Sequence, residues 1–426
     1  MYLIIDTPSM ITSAFYGTAP FRDKNESDED YNARVESVIM KTSTGVFTNA
    51  IKVSLQTILG LIVDLKPDHV ACVFDVSRSS LLRRQEYQDY KGNRSASPNA
   101  LRQQLNDMRD VLSGIGIKIF EREGYEADDF AKTLIDSIPE NEKVIVVSKD
   151  HDYFQLVKDN VTVWMPCVSV EAADALYAKH GYSDEIRATL PKKMFPMTPG
   201  AVLKETGVIP SLIPDLKGIV GDNSDNIPGI KGVGEKSAPE LLMHYGSLEA
   251  VYEALEKDEK AFAETCKNDL GIKRSPVNAL KTYKADGVMS KHLATMVTVP
   301  DVDCDMTFVP NEDALRFMVD MYELNSLNEY GLLDKFHEYA KTFETEDTPV
   351  IVRTEAEALE ALMEASLDDD VKDILIKSNL LQRITSMDVK LHPIKKTFVC
   401  PTCKQESNRR NYKFCPFCGQ AILVSE

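Results

Sequence analysis

Aspartates stand at the ends of short apolar runs in this chain. Asp6 follows the run 2–5, Asp75 follows 70–74, and Asp150 and Asp152 come just after 144–147. Glu126, Asp128 and Asp129 crowd the opening of an amphipathic stretch, and Asp222 and Asp225 sit in a polar turn, Gly221-Asp222-Asn223-Ser224-Asp225-Asn226. Taken singly each is ordinary, because acidic residues complement a helix dipole in its first turn and Asp favours turns. Brought together, so many carboxylates cannot all stay ionised without cations between them. Hard oxygen donors of this kind suit Mg²⁺, with Mn²⁺ as a substitute. Two such ions roughly 4 Å apart form the clamp used for in-line hydrolysis of a phosphodiester.

That chemistry requires a scaffold that gathers these positions. Helix-like stretches at 49–65, 98–114 and 127–137 lie between the apolar runs. Strands alternating with helices predict an α/β fold with a mainly parallel sheet and flanking helices. The carboxyl ends of such strands line the crevice, so Asp6, Asp75, Asp150 and Asp152 are expected along one edge, beside the helix start at 126–129. This region is expected to span residues 1–215, and a mostly helical second region 216–340. An acidic linker carrying helices follows at 341–396, where Thr354 and Glu357 read as a capping box.

Two further stretches have the composition of nucleic-acid contacts. Arg83, Arg84, Tyr87, Tyr90, Lys91 and Arg94 lie between Asp75 and Pro98. On a helix near 78–95, Arg83, Tyr87, Lys91 and Arg94 would share a face, able to hold phosphate and stack on an unpaired base. Taken in isolation, the stretch reads as a solvated basic helix. Gly229, Lys231, Gly232, Gly234, Lys236 and Ser237 form a glycine-rich hairpin running into a helix. Glycines let a DNA backbone approach main-chain N–H groups, and a helix N-terminus favours phosphate.

In their order, Glu126-Ala127-Asp128-Asp129, Asp150-His151-Asp152-Tyr153-Phe154-Gln155-Leu156 and Gly221-Asp222-Asn223-Ser224-Asp225-Asn226-Ile227-Pro228-Gly229 resemble the motifs of the 5′-nuclease family. That family comprises the 5′-nuclease domain of bacterial DNA polymerase I and the phage flap endonucleases, and the resemblance covers roughly residues 1–340. It implies a PIN-like core followed by a helix-hairpin-helix domain. A first metal is implied near Asp6, Asp75, Glu126, Asp128 and Asp129, and a second near Asp150, Asp152, Asp222 and Asp225. Lys91 and Arg94 match the family's phosphate-stabilising pair, and Arg83 another basic position in the arch that the 5′ strand passes. The hairpin matches the element that grips duplex DNA, where K⁺ often bridges carbonyls and phosphate.

The implied activity is two-metal hydrolysis of DNA at 5′ flaps, nicks, gaps or free 5′ ends. It would act as 5′-3′ exonuclease and flap endonuclease in replication or repair, leaving 5′-phosphate and 3′-hydroxyl ends. A monomer is expected. Residues 166–194, with Arg187, Lys192 and Lys193, are longer than in the polymerase-attached domains and read as a surface insertion. The lack of a polymerase region makes the chain resemble the phage enzymes more closely. Two rival readings are a DNA binder without catalysis and a ribonuclease of similar fold. The full carboxylate set counts against the first and the hairpin against the second.

Of eight cysteines, Cys400, Cys403, Cys415 and Cys418 form two Cys-x-x-Cys knuckles separated by eleven residues. That spacing makes a closed tetrahedral Zn²⁺ site, so a structural zinc ribbon is expected over 397–423. Arg409, Arg410 and Lys413 between the knuckles lean slightly toward nucleic acid, and docking of a replication protein is the other role considered. The scattered Cys72, Cys167, Cys266 and Cys304 suggest buried thiols rather than a disulfide framework. The chain has 426 residues, 43% of them hydrophobic, with no membrane-length apolar run and no signal-peptide pattern, so a cytoplasmic protein is expected. Its net charge of −18 argues against a nucleic-acid binder only until the carboxylates are seen as cation ligands.

Overall fold

The computed structural model describes residues 1–343 except 95, 96 and 330, together with Ile351–Val352 and Val389–Lys390. The expected zinc ligands Cys400, Cys403, Cys415 and Cys418, the capping box at Thr354 and most of the linker lie outside the described residues.

Six strands form one sheet: β1 (Tyr2–Asp6), β2 (His69–Val73), β3 (Lys118–Phe120), β4 (Val144–Val147), β5 (Val161–Pro166) and β6 (Met194–Met197), in the order β3-β2-β1-β4-β5-β6. β1 pairs parallel with β4, and β4 parallel with β5, whereas β6 runs antiparallel to β5. The run Val144-Ile145-Val146-Val147 is buried along its whole length, as a strand covered on both faces must be. The antiparallel edge has a local cause. The stretch expected as a surface insertion forms the helices Val170–His180 and Asp184–Ala188, a connection that returns the chain antiparallel to β5. There Arg187 bonds Asp174 at 2.7 Å and the Lys192 carbonyl at 2.6 Å, so it braces the insertion itself.

Contacts divide the chain into two compact units. One comprises Met1–Met10, Ala71–Ser97 and Phe120–Asp305, the other Ile11–Val70, Pro98–Ile119 and Met306–Glu426. The boundary expected at 215/216 therefore falls inside the first unit. In the second unit the helix Asn49–Leu65 packs against Asn99–Gly114 and Leu332–Ala340. Gln104 holds it from the side, its Oε1 accepting from the Ala50 N–H at 2.8 Å.

In the first unit the segment after the helix Lys284–Ala294 is strapped to the helix Ala127–Ser137. The Val297 N–H donates to Asp129 Oδ1 at 2.9 Å, and the Val299 N–H donates to Thr133 Oγ1 at 2.8 Å. Gln155 completes the strap, donating to the Ala294 carbonyl and accepting from the Met296 N–H, both at 3.1 Å. No helix among the described residues is long and apolar enough to cross a membrane.

Candidate active site

All the expected carboxylates belong to the first unit. Asp6 ends β1 and is 5% exposed; its Oδ2 accepts from Ser148 Oγ at 2.6 Å and its Oδ1 from the Ser9 N–H at 3.2 Å. The Ser148 hydroxyl also accepts from the Asp150 N–H at 3.0 Å, so one buried serine positions the ends of two neighbouring strands. Asp75, just beyond β2, accepts from the Ala127 N–H at 2.8 Å and thereby caps the helix that carries Asp128 and Asp129. Asp150 accepts from the Asp152 N–H at 2.9 Å across the turn after β4.

Burial, with the charges of Asp150 and Asp75 added, pushes Asp6 up to about 7 despite its hydrogen bonds. Burial and the neighbouring Asp129 and Glu126 raise Asp128 as well. Asp75 and Asp150 rise for the same reason, although each keeps a solvent-facing side at the mouth of the crevice.

The basic segment is not the helix expected. A 3-10 turn at Arg78–Ser80 and a short α-helix at Leu82–Glu86 are separated by Leu81, and the chain then turns through residues 87–94. Lys91 adopts a left-handed backbone (φ 53°), its N–H donates to the Asp225 carbonyl at 2.8 Å, and Asn226 Nδ2 donates to the Asp89 carbonyl at 2.8 Å. Those tertiary bonds outweigh helical propensity. The shared face fails with the helix, yet the cations still converge. Lys91 pairs with Glu126 and approaches Asp225 Oδ2 at 3.5 Å, while Arg94 pairs with Asp225 Oδ1 and donates to the Ser224 carbonyl at 3.2 Å.

Four assignments change in consequence. Arg83, expected to face phosphate, is 9% exposed; it grips Asp129 through two bonds of 2.6 and 2.8 Å and reaches Glu126 at 2.8 Å and the Thr295 carbonyl at 3.0 Å. Asp129 also accepts from the N–H groups of Val297 and Glu126, so its oxygens are committed to the fold rather than free for a metal. Tyr90, expected among the DNA contacts, is 3% exposed, and its hydroxyl links Glu126 Oε2 at 2.9 Å to Asp225 Oδ2 at 3.3 Å. Tyr87 packs on Leu81, Ile227 and Leu293 instead of presenting a free ring, and Arg84 stays half-buried.

Lys217, Gln155 and Ser148 are functional positions that sequence reasoning passed over. Lys217 stands between Asp152 and Asp222, donating to Asp222 Oδ2 at 2.6 Å and pairing with Asp152. Burial opposes ionisation of Asp222, but Lys217 and two bonds from Ser224 hold it down to about 2. The only signal was a lysine five residues before an acidic turn, which is too common to single out.

The hairpin begins with a closed loop in which Asp222 and Ile227 exchange N–H···O bonds of 2.9 and 2.8 Å. Gly229 (φ 64°) is buried, its N–H donates to Ser290 Oγ at 3.0 Å, and a Cβ would lie 2.3 Å from the Gly221 nitrogen. It is needed for close backbone packing, not for contact with an outside ligand. Lys231, Gly232, Gly234 and Lys236 are exposed and Ser237 half-buried, leaving that face accessible.

Among the described residues no group of three or more His, Cys, Asp or Glu side chains is close enough to hold a metal ion as it stands. Lys91, Arg94 and Lys217 occupy the gaps that a divalent ion would fill. The donor set is otherwise one of carboxylates alone, in which burial first and neighbouring carboxylates second raise Asp6, Asp75, Asp128 and Asp150. That chemistry fits hard divalent cations once those three side chains withdraw.

The described order of motifs agrees with a model of the 5′-3′ exonuclease N-terminal resolvase-like domain, matching residues 1–185. A model of the 5′-3′ exonuclease C-terminal SAM fold matches residues 208–314. A 5′-3′ exonuclease of Aquifex aeolicus is 35% identical over 234 residues, 55% of this chain and 72% of that protein. The chain belongs to the 5′-3′ exonuclease family. DNA polymerase I of Mycobacterium leprae is 35% identical over 278 residues, 65% of this chain but 26% of the polymerase, so the chain spans about a quarter of that relative. Among solved structures, the T5 5′-exonuclease with bound zinc ions aligns at 16% identity and TM-score 0.46, covering 80% of this chain and 99% of that one. Flap endonuclease-1 from Methanococcus jannaschii aligns at 14% and TM-score 0.41, covering 80% and 93%. The gap between the two matched regions, 186–207, lies within the first compact unit, where the strap at 294–299 fastens the later region onto the Ala127–Ser137 helix.

Proposed function

We propose that this 5′-3′ exonuclease homologue is a divalent-metal-dependent structure-specific DNA nuclease, acting on 5′ flaps, nicks, gaps and free 5′ ends. The observation that carries the reading is the convergence of Asp6, Asp75, Glu126, Asp128, Asp150, Asp222 and Asp225 with Lys91, Arg94 and Lys217 in one crevice. Asp6, Asp75, Glu126 and Asp128 would hold one ion, and Asp150, Asp152, Asp222 and Asp225 another. Mg²⁺ is favoured and Mn²⁺ a substitute. Bound ions would supply the positive charge and activated water that in-line phosphodiester hydrolysis needs.

The chain's own residues do the rest. Lys91 and Arg94, on loading, would turn from Glu126 and Asp225 toward the phosphate and offset the charge that grows there. Tyr90 keeps Glu126 and Asp225 at a fixed separation, and Ser148 does the same for Asp6 and Asp150. Arg83 and Asp129 hold the basic segment on the helix behind them. Lys231, Lys236 and the exposed glycines would meet the duplex, with K⁺ bridging carbonyls and phosphate. The zinc ribbon at Cys400, Cys403, Cys415 and Cys418 would serve as a separate attachment, favoured here for docking a replication protein.

A 5′-flap duplex and its unbranched counterpart, each labelled at either end, test the reading. Mg²⁺ should produce 5′-labelled fragments cut near the junction, with 5′-phosphate and 3′-hydroxyl ends, and EDTA should stop the reaction. A folded protein that leaves both substrates whole with Mg²⁺ and with Mn²⁺ sinks it.

A further inference from the structure

The helix Ile213–Val220 uses one face for packing against Lys284–Ala294, where Gly218 lies so close that a Cβ would meet Lys291 Cβ at 2.8 Å. Its other stripe, Ile213, Leu216, Lys217 and Val220, follows i, i+3, i+4, i+7 and lines a recess of about 560 Å³. Leu216 and Val220 remain half-exposed there. The exposed His151 ring forms a second wall, backed by the buried Phe154, on which it stacks at 4.7 Å and 20°. The recess thus has an aliphatic side, the exposed His151 ring, and Glu235 and Lys236 exposed at its rim.

This space adjoins the carboxylate crevice. Lys217 and His151 line both it and the adjoining recess of about 480 Å³ that contains Asp150, Asp152 and Asp222. A phosphate-competent chamber beside an apolar, ring-walled one is the arrangement a nucleotide requires, charge at one end and a flat face at the other. Two of the rim's polar groups are engaged elsewhere: Glu205 binds Lys179 at 2.7 Å, and the Thr206 hydroxyl donates to the Val202 carbonyl at 2.8 Å. The aliphatic stripe and the His151 ring are then the surfaces that would tell a base from a bare sugar phosphate.

We propose that the recess receives one nucleobase of a bound deoxynucleotide whose phosphate lies beside Lys217. The inference rests on the nuclease reading for its biological substrate, but its test does not. Binding of deoxyadenosine 5′-monophosphate is compared with that of 2-deoxyribose 5-phosphate by calorimetry with Mg²⁺, since neither contains a phosphodiester to cut. The nucleotide should bind about tenfold or more tightly than the sugar phosphate. Val220→Trp, which fills the recess, and Leu216→Ala, which strips its wall, should each remove most of that difference and leave sugar-phosphate binding unchanged. Equal affinity of the two ligands for the wild type overturns the proposal, as does unaltered nucleotide binding in a variant that still melts cooperatively. Should Val220→Trp fail to fold, Leu216→Ala decides the matter by the same criterion. Flap cleavage by the wild type is measured separately, so loss of the nuclease reading would be seen apart from loss of the base site.

Discussion

Removing a carboxyl charge from the crevice should stabilise the metal-free protein. Asp6 is nearly fully buried, and burial together with Asp150 raises its pKa from the ordinary 3.8 to about 7. A folded-state pKa above the unfolded one means that the fold favours the protonated acid. The stability this confers is complete below about pH 4 and is lost as pH rises toward 7. The gap of about three pH units, at about 1.4 kcal/mol each, corresponds to on the order of 4 kcal/mol. Asp222 has the opposite sign, since a pKa near 2 gives stability that is lost only as pH falls below its ordinary 3.8, so it does not disturb the window above pH 5. Asp128, raised by burial and by Asp129, adds to the effect of Asp6.

The expected result in EDTA is a urea midpoint that declines from pH 5 to pH 8 for the wild type and declines less steeply for Asp6→Asn, which retains partners for Ser148 and Ser9 and leaves the contribution of Asp128 in place. At pH 8 the variant should be the more stable protein. Saturating Mg²⁺ should recover the wild type's loss and release protons near pH 6.5, seen by calorimetry in two buffers of different ionisation enthalpy. A metal-free wild type that keeps its midpoint at pH 8, or an Asp6→Asn variant weaker than it there, refutes the reasoning.

Arg83→Met should cost about 3–5 kcal/mol by leaving Asp129 and Glu126 buried without their cation, and a loss under about 1 kcal/mol in chemical denaturation would return Arg83 to the surface role first expected of it. Gly229→Ala should lower the melting temperature by several degrees and loosen the hairpin, because its Cβ has no space beside Gly221 and its backbone is left-handed; a variant that melts with the wild type contradicts the close packing described. Lys91→Ala should reduce the single-turnover rate on a flap by about 10²–10³-fold with a much smaller change in affinity, and equal losses in both would make it a phosphate anchor only. A chain ending at Phe343 should fold and cleave a flap with Mg²⁺. If the cysteine-rich end contacts DNA, this shorter chain should bind more weakly and with a shallower salt dependence; if that end docks a protein, both should match the full chain on naked DNA.

Parts of the site were legible because they are local. Asp6, Asp75 and Asp150 follow apolar strands, and Glu126 to Asp129 open a helix whose span, like that at 49–65, was readable from periodicity alone. The basic segment was misread because spacing on a helical wheel assumes a continuous helix. The bonds that end it, from Lys91 to Asp225 and from Asn226 to Asp89, come from residues far along the chain and leave no trace in the segment's own composition. Tyr87 and Tyr90 look identical to surface aromatics until the partners that bury them are known.

Lys217 and Arg83 expose a deeper limit. A carboxylate cluster announces itself by repetition, whereas the cation that makes it tolerable is a single residue at no characteristic spacing. Here two kinds of cation answer that repulsion. Arg83 is locked onto Asp129 by two bonds and by the strap beside it, so it cannot leave without exposing a buried charge. Lys91, Arg94 and Lys217 hold their carboxylates without such a strap, and under the proposed loading each would give way to a divalent ion. The distinction sorts the carboxylates by consequence. Losing Asp129 should damage the fold with or without metal, while losing Asp222 or Asp225 should matter chiefly once the ions compete.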